Sequence, residues 1–218
     1  AMHVIGGPHI TLCYEEYLKD NPDFAYGFIG EADVNFSEFC RRIEQGRPVE
    51  DIPGIAYRKG DRVLGTEREL ILWLDELPQP DFDLIEDFSW KDFRYPLLTS
   101  RGCPYKCNFC SVPLISSKRF RQRSPEDCIK ELTRVKREKG ITCFEILDDN
   151  LTLNMKRAKE FCHALIESKL NLSLYCHNGI RADRLDQELA DLMAQAGCTS
   201  IAFGIESGDQ EVFRRVVK

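Results

Sequence analysis

The sequence contains no apolar run approaching the ~20 residues that span a bilayer, and its start lacks the charged-then-apolar build of a secretory signal. It has no paired cysteine framework either. Of ten cysteines in 218 residues, seven are scattered, which excludes a small secreted domain stapled by disulfides. Positive charge is in deficit, with 30 Lys and Arg against 36 Asp and Glu and a net charge of −6. That balance argues against a surface given over to nucleic acid, although a local basic patch is compatible with it. These absences point to a reducing compartment, the cytoplasm. Cys128, Cys162 and Cys176 sit on apolar faces and read as core thiols. The length suits one large domain or two small ones.

The remaining three cysteines are clustered. In Arg101-Gly-Cys-Pro-Tyr-Lys-Cys-Asn-Phe-Cys-Ser111, Cys103, Cys107 and Cys110 are spaced C-x3-C-x2-C, with Gly102 and Pro104 breaking regular structure. Three thiolates on a short loop suit a cuboidal [4Fe–4S] cluster in which the fourth iron stays open to a small molecule. A structural zinc site wants four protein ligands, and no second C-x2-C or H-x3-H pair stands nearby. Buried, inert thiols are the third possibility.

Along the chain, residues 3–9 read as a short strand ending in the pair Gly6-Gly7, a turn where backbone can approach a ligand or simply reverse into a helix. A helix over 14–19, a strand over 24–29 and a helix over 36–45 follow. Residues 54–58 and 62–64 flank Lys59-Gly60-Asp61 as a hairpin. Prolines and acids from 77 to 96 read as linker, which divides the chain into 1–65, a linker 66–95, and 96–218. Beyond it strands near 96–100, 143–147, 172–176 and 200–204 alternate with helices opened by Ser124, Asn154, Asp186 and Asp209. Four successive βα units predict a parallel sheet with right-handed crossovers, with ligands at the carboxyl ends of the strands. The cysteines, Asp148 with Asp149, Arg181, and Glu206 with Ser207 each follow a different strand. Each polar group has a bland alternative as a helix cap; jointly they mark one rim.

The stretch Leu98-Thr-Ser-Arg-Gly-Cys-Pro-Tyr-Lys-Cys-Asn-Phe-Cys-Ser111, with the aromatic Phe109 before the last cysteine, resembles the signature of radical S-adenosylmethionine (SAM) enzymes. The resemblance runs from residue 98 to 218 and includes Phe144-Glu-Ile-Leu-Asp-Asp-Asn150 and Gly204-Ile-Glu-Ser-Gly208. It implies a (β/α) barrel, here partial, and a cluster whose open iron is chelated by SAM. Cleavage of SAM then gives a 5′-deoxyadenosyl radical that takes hydrogen from a substrate. The resemblance also implies that Asp148 and Asp149 hold the SAM amino group, that Arg181 pairs with its carboxylate, and that Glu206 and Ser207 face its ribose or methionine portion. Asp148-Asp149 stand where the family usually has Gly-Gly-Glu.

Val4-Ile-Gly-Gly-Pro-His9, Gly30-Glu31 and the hairpin resemble the latter half of the Rossmann-like cobalamin-binding domain that precedes many such barrels. This implies a role for Gly6 and Gly7 beside cobalamin. The earlier strands and the Asp-x-His-x-x-Gly motif of that domain are absent, so the expectation is a partial α/β segment and an internal fragment of a larger enzyme. The expected activity is cobalamin-type methyl transfer or rearrangement on a small organic substrate, fed by an external electron donor. Two other readings stay open: tRNA methylthiolation, favoured by the basic run Lys118-Arg-Phe-Arg-Gln-Arg123 with Phe120 for stacking, and a non-catalytic module that binds a metal or a partner. Open sheet edges predict pairing in a homodimer or cover from residues 66–95.

Overall fold

The computed structural model describes residues 2–91 and 93–216; Asp92 of the expected linker and Val217 and Lys218 at the end of the expected barrel segment lie outside them. Two compact units are present. One comprises residues 1–72 with 111–117; the other comprises 73–110 with 118–218. Among the described residues no helix is long and apolar enough to cross a membrane.

The first unit opens with β1 (His3–Ile5) and α1 (Pro8–Asp20). Gly7 stands between them at φ 100°, a conformation that side chains resist, and Pro8 supplies a pre-set φ to the first helical turn. The helix starts earlier than the expected 14–19 because it bends at Cys13, where φ −134° and ψ 30° interrupt the helical period. Then come β2 (Phe24–Phe28), α2 (Asn35–Glu44), β3 (Ile55–Lys59) and β4 (Arg62–Gly65). The sheet runs β1-β2-β3-β4, with β1 parallel to β2 and the rest antiparallel. Gly60 and Asp61 turn the hairpin, with Lys59 opposite Arg62. Phe28 and Phe39 meet edge to face at 5.3 Å over a small core with Val49, Ile52 and Ile55. The short α3 (Val112–Ile115), which its four residues hide in the sequence, belongs here too. Its last carbonyls accept from the Arg68 guanidinium.

In the second unit, β5 (Tyr95–Leu97) leads to a two-stranded antiparallel ribbon of β6 (Ser100–Arg101) and β7 (Arg121–Gln122). Then α4 (Pro125–Lys139), β8 (Cys143–Ile146), α5 (Met155–Ser168), β9 (Ser173–Ile180), α6 (Gln187–Gln195), β10 (Cys198–Phe203) and α7 (Gln210–Val216) alternate. The strands form a parallel sheet in the order β10-β9-β8-β5. This is the α/β arrangement that the alternation predicts, as an open four-stranded sheet; no closed barrel forms among the described residues.

The caps read from sequence are in place. The Ser124, Asn154 and Asp186 side chains accept from the amides of Asp127, Arg157 and Leu189 at 3.2, 3.2 and 2.8 Å. Acidic Glu126 and Asp127 open α4, and Lys136, Arg137 and Lys139 close it, in the sense that the helix dipole favours. One sheet face is sealed by these helices: Tyr95, Leu97, Phe144, Ile146, Leu174 and Cys176 pack with Leu132, Val135, Phe161, Leu165 and Leu189. Residues 73–95, expected as linker, pack in this unit. Phe82, Phe88, Trp90 and Phe93 form a ring cluster with centroids 4.8 to 5.9 Å apart, and Phe82 reaches Tyr95 at 5.9 Å. The prolines and acids that read as linker punctuate these four half-buried rings.

Phe161 is 1 % exposed at the centre of the helix layer. Phe161→Ala therefore costs about 3–5 kcal/mol of stability in urea unfolding, whereas Phe109→Ala, at a residue 54 % exposed, stays within about 0.5 kcal/mol.

Candidate functional site

The cysteine loop leaves the sheet from β6, and its first turn is fixed by buried polar groups. Asp148 follows β8 and is 1 % exposed. Its carboxylate accepts from Thr99 N–H (2.6 Å), Thr99 Oγ1 (2.5 Å) and Ser100 Oγ (2.6 Å). Arg157, on α5 and 2 % exposed, donates to Thr99 Oγ1 and Thr99 O at 3.0 Å each and to Arg123 O at 2.9 Å. Arg123 in turn meets Asp127 and Glu131, and Glu131 accepts from Tyr95 Oη, each at 2.6 Å. Burial pushes the Asp148 carboxyl above the usual range, and hydrogen bonds from Ser100 and Thr99 pull it back. The oxygens of Asp148, expected at the SAM amino group, accept from residues 99 and 100 here and position the lead-in to the loop.

The adjacent residues face the loop itself. Asp149 accepts from Gly102 N–H at 2.8 Å, and Gly102 adopts φ 87°, which leaves its amide free to turn toward β8. Asn150 is 3 % exposed, and its Oδ1 is buried without a partner. From the next strand, the Arg181 guanidinium lies 4.1 Å above the Tyr105 ring, and Arg184 Nε donates to Tyr105 Oη at 3.3 Å. The loop is thus held from the ends of both β8 and β9.

Cys103, Cys107 and Cys110 are half-buried, and burial raises the Cys103 thiol above its ordinary range. Among the described residues no three His, Cys, Asp or Glu side chains close on a point that one ion could fill. A cube takes each thiolate on a different iron, so its ligands stand farther apart than the ligands of a single ion. The buried orphan oxygen of Asn150, beside the first cysteine, is a vacant acceptor for a ligand donor. Cys128 and Cys162, pushed up to about 12 by burial, stay protonated and offer no thiolate.

The other expected residues divide. Arg181 donates to both oxygens of Asp183 at 2.9 Å. Phe109 presents an exposed ring. Glu206 adopts φ 60° after β10 with its carboxylate turned back toward Gly204, and the Ser207 hydroxyl accepts from Asp209 N–H at 3.0 Å. In the first unit, Gly6 and Gly7 close β1. A Cβ at Gly7 would meet nothing within 4 Å, and Thr11 Oγ1 bridges Gly7 O (3.0 Å) to Gly30 N–H (2.9 Å). Arg121 of the basic run is 5 % exposed and Arg123 is ion-paired, so much of that run is absorbed by the fold.

Sequence reasoning missed a polar row on the sheet face away from the helices. His177 Nδ1 lies 3.1 Å from Glu145 Oε1, and His177 Nε2 lies 3.0 Å from Ser200 Oγ. Arg94 stacks 4.1 Å over the Tyr175 ring and approaches Glu145 at 3.9 Å. The carboxylate acts as acceptor, so Nδ1 carries the proton and Nε2 accepts from the serine. Glu145 precedes Asp149 by four residues, about 13 Å along an extended strand, which sets the row one layer below the rim. The signal was available: residues 145, 175 and 177 alternate with the core residues 144, 146, 174 and 176.

A profile of the Radical SAM superfamily matches residues 97–218. The chain is similar to an uncharacterized methyltransferase of Pyrococcus horikoshii, 34 % identical over 99 % of this chain and 47 % of that one. It is also similar to cytidylyl-2-hydroxyethylphosphonate methyltransferase of Streptomyces wedmorensis, 29 % identical over 100 % and 47 %. The chain therefore spans about half the length of these curated relatives. Among solved structures, the radical SAM methyltransferase TsrM of Kitasatospora setae, with cobalamin and a [4Fe–4S] cluster bound, shares the fold with a TM-score of 0.81, 19 % identity, and coverage of 96 % of this chain and 43 % of that one.

Removing the carboxylate beside buried Arg157 leaves that cation uncompensated. Asp148→Ala costs about 3–5 kcal/mol in urea unfolding, and Arg181→Ala, which breaks an exposed pair, costs about 0–1 kcal/mol.

Proposed function

The chain belongs to the radical SAM superfamily, and on that footing we propose that it carries the cluster- and SAM-binding part of a cobalamin-dependent methyltransferase for a small organic substrate. The observation that carries this reading is the cysteine loop, gripped from two strand ends with its three thiols half-buried. Two relatives are named methyltransferases and a structural neighbour holds cobalamin. Cys103, Cys107 and Cys110 would hold the [4Fe–4S] cluster. When bound, the cluster supplies the electron that cleaves the SAM sulfonium to a 5′-deoxyadenosyl radical.

The chain's own residues then have distinct tasks. Asp149 keeps Gly102 turned toward β8 and so orients the first cysteine. The orphan Oδ1 of Asn150 accepts from the SAM ammonium, the part that Asp148 is too committed to play. Arg181 gives up Asp183 for the SAM carboxylate; that exposed pair is worth about 0–1 kcal/mol, so the exchange costs little. Glu206 accepts from ribose hydroxyls, the Ser207 hydroxyl still has its hydrogen to donate, and Phe109 offers an apolar face to the nucleoside. Gly6 and Gly7 let backbone approach cobalamin closely. The row of Arg94, Glu145, Tyr175, His177 and Ser200 faces the substrate: the interior of a (β/α) barrel is ordinarily filled by branched apolar side chains, and a hydrogen-bonded polar row there serves a bound polar molecule. Reducing power comes from an external one-electron donor. The ten free thiols suit a reducing compartment such as the cytoplasm.

Reconstituted anaerobically with iron and sulfide, the chain takes up about four irons and turns brown. Cys103→Ala, Cys107→Ala and Cys110→Ala each lose most of that iron, and Cys162→Ala keeps it. One tightly held zinc ion in place of the cluster would overturn the reading.

Glu206→Ala lowers SAM affinity roughly tenfold to a hundredfold in equilibrium binding to the reconstituted chain, as loss of charge-assisted hydrogen bonds costs about 1.5–3 kcal/mol. Its urea midpoint stays where it was.

A further inference from the structure

We infer that Arg94 is the receptor for an oxyanion on the substrate, a carboxylate or a phosphoryl group. This rests on the reading that the polar row faces the substrate, and it names the chemical class of that substrate.

Along the row, His177 is fully engaged. Its Nδ1–H donates to Glu145 Oε1 at 3.1 Å, and its Nε2 accepts from Ser200 Oγ at 3.0 Å. The Tyr175 ring packs edge-on with the imidazole, centroids 5.6 Å apart, and carries the Arg94 guanidinium 4.1 Å above its centre. What stays open is Arg94. Contact with a ring face engages its charge and leaves its five N–H donors without an acceptor. Glu145 Oε2 stands 3.9 Å from Arg94 Nη1, beyond hydrogen-bond reach. Among the described residues no other acceptor takes an Arg94 donor. By contrast, Arg123, Arg157 and Arg181 in the same unit each donate to oxygens at 3.1 Å or less.

A guanidinium presents its N–H groups as a planar fork that matches two oxygens of a carboxylate or a phosphoryl group. An arginine free in water loses side-chain freedom when it binds a ligand. This one is already placed by the tyrosine ring and the neighbouring carboxylate, so less ordering remains to be done. The Arg94 side chain is 46 % exposed and that of Glu145 22 %, which makes the cation the more accessible of the two. Glu145 acts in the opposite sense, because its charge partly neutralises the guanidinium and repels an arriving anion. The row also lies below the rim: Glu145 precedes Asp149 by four residues, about 13 Å of extended strand. A molecule seated on Arg94 and reacting at the rim therefore carries its acidic group at the end remote from the reacting carbon.

The test follows the arginine Nε–H and backbone amide resonances of the 218-residue chain by proton–nitrogen NMR at low salt, before reconstitution. Pentanoate and butylphosphonate are the probes, and 1-pentanol is their uncharged counterpart. An anion is expected to shift the Arg94 resonance and the amides of 145, 175 and 177, and pentanol is not. A response to pentanoate alone assigns a carboxylate, and to butylphosphonate alone a phosphoryl group. Arg94→Gln lowers the affinity roughly tenfold or more, as loss of charge-assisted hydrogen bonds. Arg94→Lys keeps the charge without the fork; it falls between, and it covers the case in which glutamine does not fold. Glu145→Gln removes the opposing charge at the same shape and tightens binding about twofold to fivefold. Arg94 variants that bind as the wild type does, or pentanol that matches pentanoate at the same resonances, would overturn the inference. A chain that loads the cluster yet binds neither anion overturns this inference alone. A chain that binds an anion through Arg94 yet takes up no cluster overturns the methyltransferase reading and leaves the oxyanion site standing.

Discussion

A buried carboxylate and a buried guanidinium, joined through one threonine, hold this site together. Asp148 takes both donors of Thr99 and the hydroxyl of Ser100, while Arg157 reaches the other side of Thr99 and on to Arg123. Neither charge would be tolerable alone at this depth. Together they tie α5, the end of β8 and the lead-in to the cysteine loop into one hydrogen-bonded unit. Because Thr99 and Ser100 are bonded on both sides, the loop leaves the sheet in a defined direction, and the position of Gly102 follows from it.

Around that hub the residues sort by depth. Below the rim the helix-facing side of the sheet is a conventional apolar core. The opposite face is polar, with His177 suspended between Glu145 and Ser200. A histidine whose Nδ1–H is held by a carboxylate presents its far nitrogen as an acceptor. Its place on the strands that also carry the loop anchors gives the polar row and the cysteine loop a shared rigid support, which is how precise sites are usually built.

Much of this was legible in the sequence. The βα rhythm, the caps at Ser124, Asn154 and Asp186, and the hairpin at Gly60-Asp61 followed from period and turn chemistry, because local rules and the final fold agree there. Three things were hidden. Asp148, Asp149 and Asn150 are adjacent polar residues, and only the continuation of the strand's alternation separates them: 148 and 150 share parity with the buried Phe144 and Ile146, and 149 does not. The strand expected to end at Cys176 runs on to Ile180, so His177 read as loop. The aromatics of residues 82–93 were masked by the prolines and acids between them, and ring packing outweighed local turn preference.

The division of labour at the end of β8 also bears on how such a protein can change over evolutionary time. The residues that keep the loop in place, Asp148, Arg157 and Thr99, are sealed from solvent. Those proposed to meet the nucleoside, Phe109 and Glu206, lie at the surface, where substitution scarcely disturbs folding. Drift at the surface positions can re-specify what is bound without reopening the question of whether the chain folds. A scaffold arranged in this way tolerates experimentation, and one architecture can then diversify into many chemistries.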